Sequence, residues 1–301
     1  MSDTKKILQD RLGPNLKIVE PLAPYSPIGV GGPADFFIEA KSPDELTRAK
    51  AAAREVKVPT FILGGGSGVL ISDDGFHGLV IRNISEGVRE LPADSPAVSL
   101  VEVSSGTSLA KLIRFTVDHN LSGLEFLSGQ PGTVGGALVF NLEAGGERVS
   151  ENLASLTVID ILGQIRTVPR HEGQFAAATS RFLGREEVIL SAEFQLTRSD
   201  PSTITSKVNL ALAKLGQSHP RSLPMFRVPS GEDPARLISA VGLAGQTEGG
   251  AKIDEGNANL VVNTGHASAS DVVSLISLAK EKVKAKYYTE LKESFLYVGD
   301  F

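Results

Sequence analysis

Phe61-Ile62-Leu63-Gly64-Gly65-Gly66-Ser67-Gly68-Val69-Leu70 runs an apolar strand straight into a glycine turn. A second glycine segment, Gly129-Gln130-Pro131-Gly132-Thr133-Val134-Gly135-Gly136-Ala137, lies further along and is followed by Asn141. Glycines after a buried strand let backbone N–H groups approach an anion with no Cβ in the way, which is how proteins cradle pyrophosphate. Two such loops imply a nucleotide cofactor held from two sides. Neither segment is a P-loop, because no Lys-Ser or Lys-Thr pair follows the glycines. Neither has the G-x-G-x-x-G spacing of a Rossmann fingerprint, so a nicotinamide site of that kind is not indicated. Taken alone, either segment also reads as a plain turn.

Working outward, 301 residues suffice for two domains, or three small ones. With 41% hydrophobic and 22% charged residues, the composition is that of an ordinary soluble globular chain. A formal net charge of −5 offers no basic footprint, which argues against nucleic acid as a partner. The chain has no cysteine, and so no disulfide, thiolate nucleophile or Cys-ligated metal. No apolar run reaches the length of a membrane span. Met1 to Gly13 mixes Lys5, Lys6, Asp10 and Arg11 with Ile7, Leu8 and Leu12, as a short amphipathic helix does and an export signal does not. The expectation is a soluble, cytoplasmic protein without a membrane partner.

Strand and helix signals alternate. Phe36-Phe37-Ile38 precedes Ser42-Pro43-Asp44-Glu45, which reads as N-cap, Pro at the first helical position and capping-box Glu. Leu46 to Val56 supplies the helix, and Phe61–Leu63 and Leu79–Ile81 the next strands. A second unit opens with Val98–Val103 and a helix from Ser108 with Leu109, Leu112, Ile113 and Val117 on one face. Strands at 156–159, 165–168 and 188–196 follow, with Ala176, Ala177 and Ala178 in a row between the last two. Arg198-Ser199-Asp200-Pro201-Ser202 reads as a domain boundary. Beyond it, Leu237, Ile238 and Val241 make a short helix stopped by Gly242, and Ser268–Asp271 caps a longer one. Phe295–Val298 reads as a final strand.

Side chains that carry chemistry are sparse. His77, His119, His171, His219 and His266 are scattered without ligand spacing, so no metal site is expected. There is no G-x-S-x-G elbow. Asp73-Asp74 reads as a solvated pair at a turn, and Lys280 to Lys286 as a solvent face. These residues imply nucleotide binding and leave the reaction open.

The wording of the motifs is more specific. Leu63 to Asp73 resembles the flavin loop GGGSN-L-L of the UDP-N-acetylenolpyruvoylglucosamine reductase (MurB) family. Gly123-Leu124-Glu125-Phe126, Gly129 to Ala137 and Asn141 resemble its G-L-E-F…G-I-P-G-T-V-G-G-A…N segment. Tyr25-Ser26-Pro27 with Gly31-Gly32-Pro33-Ala34 is similar to its Y-T…G-G-x-A stretch. Leu237-Ile238, Gly242-Leu243, Gly245, Gly249-Gly250-Ala251, Asn263 and Ala267–Val272 follow its C-terminal domain in order, so the resemblance spans Leu22 to Gly299.

The resemblance implies an α+β, PCMH-type flavin fold: an FAD-binding portion over residues 1–200, with subdomains 22–83 and 84–200, and a substrate-binding domain over 201–301. It implies FAD contacts at Gly64, Gly65, Gly66, Ser67, Gly68, Val69, Gly129, Pro131, Gly132, Thr133, Gly135, Gly136 and Asn141. It also implies a reaction. NADPH reduces the flavin, hydride passes to the enolpyruvyl group of a UDP-sugar, and a serine protonates the product, giving UDP-N-acetylmuramate for peptidoglycan.

Departures from the family pattern fall on its catalytic positions. Aligned on Ser180 and Phe182, the family's substrate-polarising arginine falls on Ala178 and its neighbouring tyrosine on Ala177. The proton-donor serine of G-S-x-F-x-N-P falls on Pro224, in Leu223-Pro224-Met225-Phe226-Arg227-Val228-Pro229. The glutamate of L-E-x-E-V falls on Ser294, with Glu293 one residue off and so, in a strand, on the other face. Gly68, Gly29, Ala244 and Asn257 replace an Asn, an Arg, a Lys and a His. Three readings follow: a reductase using substitutes such as Ser222, Ser230 or Glu293, a non-catalytic flavin- or UDP-sugar-binding protein (a pseudoenzyme), or an FAD oxidoreductase with another substrate.

Overall fold

The computed structural model describes residues 2–92, 95–215, 221–227 and 232–301; His219, Val228, Pro229 and Ser230 lie outside them. Grouped by contacts, the chain divides differently from the linear partition. Unit 1 is Met1–Lys17, Phe37–Gly65 and Leu79–Gln217, and unit 2 is Ile18–Phe36, Gly66–Gly78 and Ser218–Phe301.

Unit 1 holds helices α1 (Ser2–Leu12), α2 (Pro43–Glu55), α3 (Leu109–Asp118), α4 (Val134–Val139) and α5 (Pro201–Lys214). Ser42 caps α2 by accepting from Glu45 N, as its sequence predicts. The Glu45 carboxylate, however, reaches the N–H of Lys41 rather than that of Ser42, so the capping box is displaced by one residue. Strands Thr60–Leu63 and Phe76–Asn83 pair in parallel. A larger antiparallel sheet runs in the order 165–169, 153–159, 188–198, 98–104, 88–91, with Leu121–Ser122 pairing the end of the central strand. Val98–Ser104 alternates half-buried and buried positions, as a strand with one covered face must. Its Val101 and Val103 pack with Leu112 and Ile113 of α3 and with Phe194 and Leu196 in the unit's core. The residues read as a boundary, Arg198 to Ser202, are instead a helix start. Asp200 accepts from the N–H groups of Ser202 and Thr203 and caps α5. An Asp-Pro step serves a loop and a helix cap equally well, which is why sequence alone misplaces it.

Unit 2 is built on an antiparallel sheet in the order 222–224, 260–263, 251–253, 247–248, with helices α6 (Pro234–Ala240) and α7 (Ala269–Tyr287). Val272, Leu275, Ile276, Ala279 and Val283 form the buried stripe of α7, at the i, i+3, i+4 spacing an amphipathic helix requires. Ser268 and Asp271 form a capping box. The final strand, Leu296–Val298, pairs in parallel with Val69–Ile71, which gathers residues 66–78 into this unit. Asp73 is not a solvated turn acid. Its carboxylate accepts from Ala269 N (2.7 Å), Ser270 N (3.0 Å) and Ser270 Oγ (2.8 Å), satisfying the first turn of α7.

Candidate functional site

In unit 1 the two glycine segments lie backbone against backbone. A Cβ on Gly64 would sit 2.6 Å from Thr133 Oγ1, and one on Gly65 would sit 3.0 Å from Gly132 Cα. Any side chain at either position would push the segments apart, which is the close approach that glycine alone permits. Thr133 is the N-cap of α4, its hydroxyl accepting from Gly136 N. Within the second segment the N–H groups of Val134, Gly135 and Gly136 go to Thr107 O, Ser105 O and Thr133 Oγ1. Gln130 N donates to Leu127 O, and Pro131 has no N–H to give. Among the described residues, the N–H groups of Gly129, Gly132 and Thr133, and of Gly65 opposite, donate to no protein acceptor. Backbone N–H groups without acceptors, on touching glycine segments whose positions 65 and 129 are exposed and carry no side chain, suit an anion such as a diphosphate.

Asn141, expected at the cofactor, is buried, with a positive φ of 46°. Its amide is engaged by protein groups: Nδ2 donates to Ala176 O (2.8 Å) and Oδ1 accepts from Ser150 N (3.3 Å). Ser180 Oγ donates to Val139 O (2.7 Å). Together these bonds hold the 176–179 turn, whose Ala178 has φ 50°, against the end of α4. The structure thus brings the turn that carries Ala178 to the C-terminal end of α4, beyond the second glycine segment.

The first segment continues in unit 2. A Cβ on Gly66, at φ +75°, would lie 2.2 Å from the carbonyl oxygen of Tyr25. Gly68 O accepts from Leu296 N, and Val69 stands in register with Leu296. Also in this unit, Ser294 Oγ donates to Pro224 O at 2.6 Å, and Ser294 N to Met225 O at 3.0 Å. The two positions where the family pattern has its serine and glutamate are therefore neighbours.

Glu293 turns to a different set of partners, Lys280 Nζ at 2.8 Å and Tyr297 Oη at 3.5 Å. Partial burial pushes its carboxyl up, but the hydrogen bond and charge of Lys280 outweigh this and leave it below the usual range. Burial, then the charge of Glu293, pushes the Tyr297 hydroxyl up to about 12. Burial holds Arg227 below its ordinary value, partly offset by Glu293. Ser222 lies in the strand Ser222–Pro224, in register with Val262. Among the described residues no group of three His, Asp or Glu side chains is placed to hold a metal ion, and no helix is long and apolar enough to cross a membrane.

Comparison with known proteins shows the family. An "FAD binding domain" profile matches residues 34–169, and one for the "UDP-N-acetylenolpyruvoylglucosamine reductase, C-terminal domain" matches residues 218–298. The reductase of that name from Synechococcus sp. (strain RCC307) is 36% identical over 293 residues, covering 95% of each chain. The Chlamydia muridarum reductase is 35% identical over 266 residues, covering 88% of each. The chain belongs to the UDP-N-acetylenolpyruvoylglucosamine reductase family. The crystal structure of the Thermus caldophilus reductase superposes with a TM-score of 0.78 at 26% identity, over 94% of this chain and 98% of that one. A VAO-type flavoprotein from Myceliophthora thermophila shares the fold alone, with a TM-score of 0.51 at 13% identity, covering 66% of this chain and 47% of that one.

The α+β flavin fold of the reductase family is thus present, and the paired glycine segments fit the diphosphate of FAD. One structural role escaped the motif reading. Glu125 of the G-L-E-F stretch is a buried carboxylate that accepts from Ser122 Oγ and Gly123 N. A charged residue inside the apolar run Leu124–Leu127 was the available signal.

Proposed function

We propose that this chain is an FAD-binding member of the reductase family whose turnover of UDP-N-acetylglucosamine enolpyruvate is strongly impaired, leaving a flavoprotein that still binds a UDP-sugar in the cytoplasm. The observation that carries this reading is the hydrogen bond from Ser294 Oγ to Pro224 O. The backbone keeps the two positions together, yet neither residue supplies the family's proton. Proline has no side-chain proton, and the Ser294 hydroxyl is directed at a carbonyl. Ala178 likewise offers no cation to polarise a substrate carboxylate. Bound FAD would supply the hydride chemistry, accepting from NADPH and delivering to the enolpyruvyl double bond. The chain's own part would be confined to holding the diphosphate on the N–H groups of Gly65, Gly132 and Thr133. Loss of a general acid costs about 10²–10⁴ in rate, and loss of a charge-stabilising group a comparable factor.

The test joins a spectrum to an assay. Purified protein, taken before and after incubation with excess FAD and desalting, is scanned for flavin absorption. NADPH oxidation is then followed with and without UDP-N-acetylglucosamine enolpyruvate, beside the Synechococcus relative. Retained flavin bands with substrate-dependent oxidation at least about 10²-fold below the relative are expected. The triple variant Ala178→Arg, Pro224→Ser, Ser294→Glu is expected to raise the rate. Turnover equal to the relative's by the unmodified protein would overturn the proposal, leaving Glu293, whose carboxylate is already bound to Lys280, as the first substitute to test.

A further inference from the structure

Three buried side-chain polar atoms among the described residues have no hydrogen-bond partner: Ser26 Oγ, Ser128 Oγ and Arg181 Nε. The Arg181 guanidinium is held by Glu187 through another nitrogen, so that side chain is anchored elsewhere. The two hydroxyls have no such compensation. Ser128 is 4% exposed and directly precedes Gly129; Ser26 is 6% exposed and directly follows Tyr25, whose carbonyl backs Gly66. Each orphan hydroxyl therefore lies next to a glycine segment. Native interiors keep few such groups, because a buried hydroxyl without a partner is destabilising.

The backbone under Ser128 is fixed from behind. Ser128 N donates to Glu125 O, and the Glu125 carboxylate accepts from Ser122 Oγ (2.5 Å) and Gly123 N (2.7 Å). Lys207 of α5 brings its ammonium within 3.8 Å of that carboxylate. Leu212 and Leu215 pack so closely on Gly129 that a Cβ there would come within 2.5 Å of Leu215 Cδ1. Over residues 128–133, the Ser128 hydroxyl and the N–H groups of Gly129, Gly132 and Thr133 all lack an acceptor among the described residues. A buried hydroxyl with no partner, beside N–H groups of the exposed Gly129 and the half-buried Gly132, calls for an acceptor that comes in from outside the chain, and an anion with several oxygens satisfies it best.

We propose that Ser128 is a cofactor-anchoring residue whose hydroxyl donates to a phosphate oxygen of the dinucleotide bound at the glycine segments. This rests on the reading of those segments as the FAD site. The test is titration of flavin-free protein with FAD, read by quenching of flavin fluorescence, for wild type and Ser128→Ala. The thermal midpoint of each flavin-free protein is measured alongside. The dissociation constant is expected to rise about 10- to 100-fold, the worth of one hydrogen bond to a charged acceptor. The flavin-free midpoint is expected to hold or rise, because the variant loses a hydroxyl that bonds to nothing in the protein. Equal affinity in the two proteins overturns the proposal. A flavin-free midpoint lowered by more than about 3 °C overturns it too, by showing that the hydroxyl serves the fold. Failure of the wild type to take up FAD at all would instead remove the flavin reading on which the proposal stands.

Discussion

Replacing Asp73 with Ala strips the start of α7 of two of its four acceptors. The four N–H groups that a helix leaves open are all satisfied here. Those of Ala269 and Ser270 go to Asp73, that of Asp271 to Ser268 Oγ, and that of the N-cap Ser268 to Asp271 Oδ2. Ser270 is exposed, so its N–H and hydroxyl turn to water when the carboxylate is gone. Ala269 is 1% exposed, and its N–H is left with nothing. An orphaned buried donor costs about 1–3 kcal/mol, and a negative charge lost from a helix N-terminus about 0.3–1 kcal/mol. Asp73→Ala is therefore expected to destabilise unit 2 by about 2–3 kcal/mol. Asp73→Asn, which keeps one acceptor oxygen but no charge, should lose about 1 kcal/mol. Equilibrium urea unfolding followed by far-ultraviolet circular dichroism gives both values. Amide exchange at Ala269 and Ser270 localises the loss. A change below about 0.5 kcal/mol for Asp73→Ala, or identical losses for the two variants, would refute this account of how α7 is anchored.

Two further outcomes follow from the geometry. Gly65→Ala places a methyl 3.0 Å from Gly132 Cα, so the glycine segments must separate; FAD affinity should fall at least about tenfold while circular dichroism stays that of wild type, and unchanged flavin retention would count against the site. Tyr297 should ionise near 12, and Glu293→Gln should bring it down; phenolate absorbance during alkaline titration reads both. Since its folded value lies above the unfolded one of about 10, the linked stability is complete below that pH and is lost as pH rises towards 12. Tyr297→Phe should flatten that alkaline loss, and an unaltered pH profile would exclude Tyr297 as its source.

What the sequence disclosed and what it hid divide along the range of the forces involved. The glycine segments were legible because their constraint is local: Gly66 needs a positive φ, and Gly64 and Gly65 need the absence of a Cβ. Ser268 and Asp271 were legible for the same reason, a cap being a matter of three residues. Asp73 was not, because the helix it caps begins 196 residues further on, and nothing near Asp73 distinguishes a cap from a solvated turn. The contact of Ser294 with Pro224 spans 70 residues and joins two positions that looked like separate losses. Asn141 was placed at the cofactor by its motif, whereas its amide is engaged by Ala176 and Ser150, partners that no spacing rule supplies.

The parallel pairing of Leu296–Val298 with Val69–Ile71 also fixes an order of events during synthesis. A ribosome releases residues 69–71 long before the strand that must lie beside them exists. Ser72 N then waits for Val298 O, and Ser72 Oγ for Asp300 O. No N-terminal fragment that stops short of residue 296 contains both strands, so unit 2 cannot close until residues 296–298 have been made.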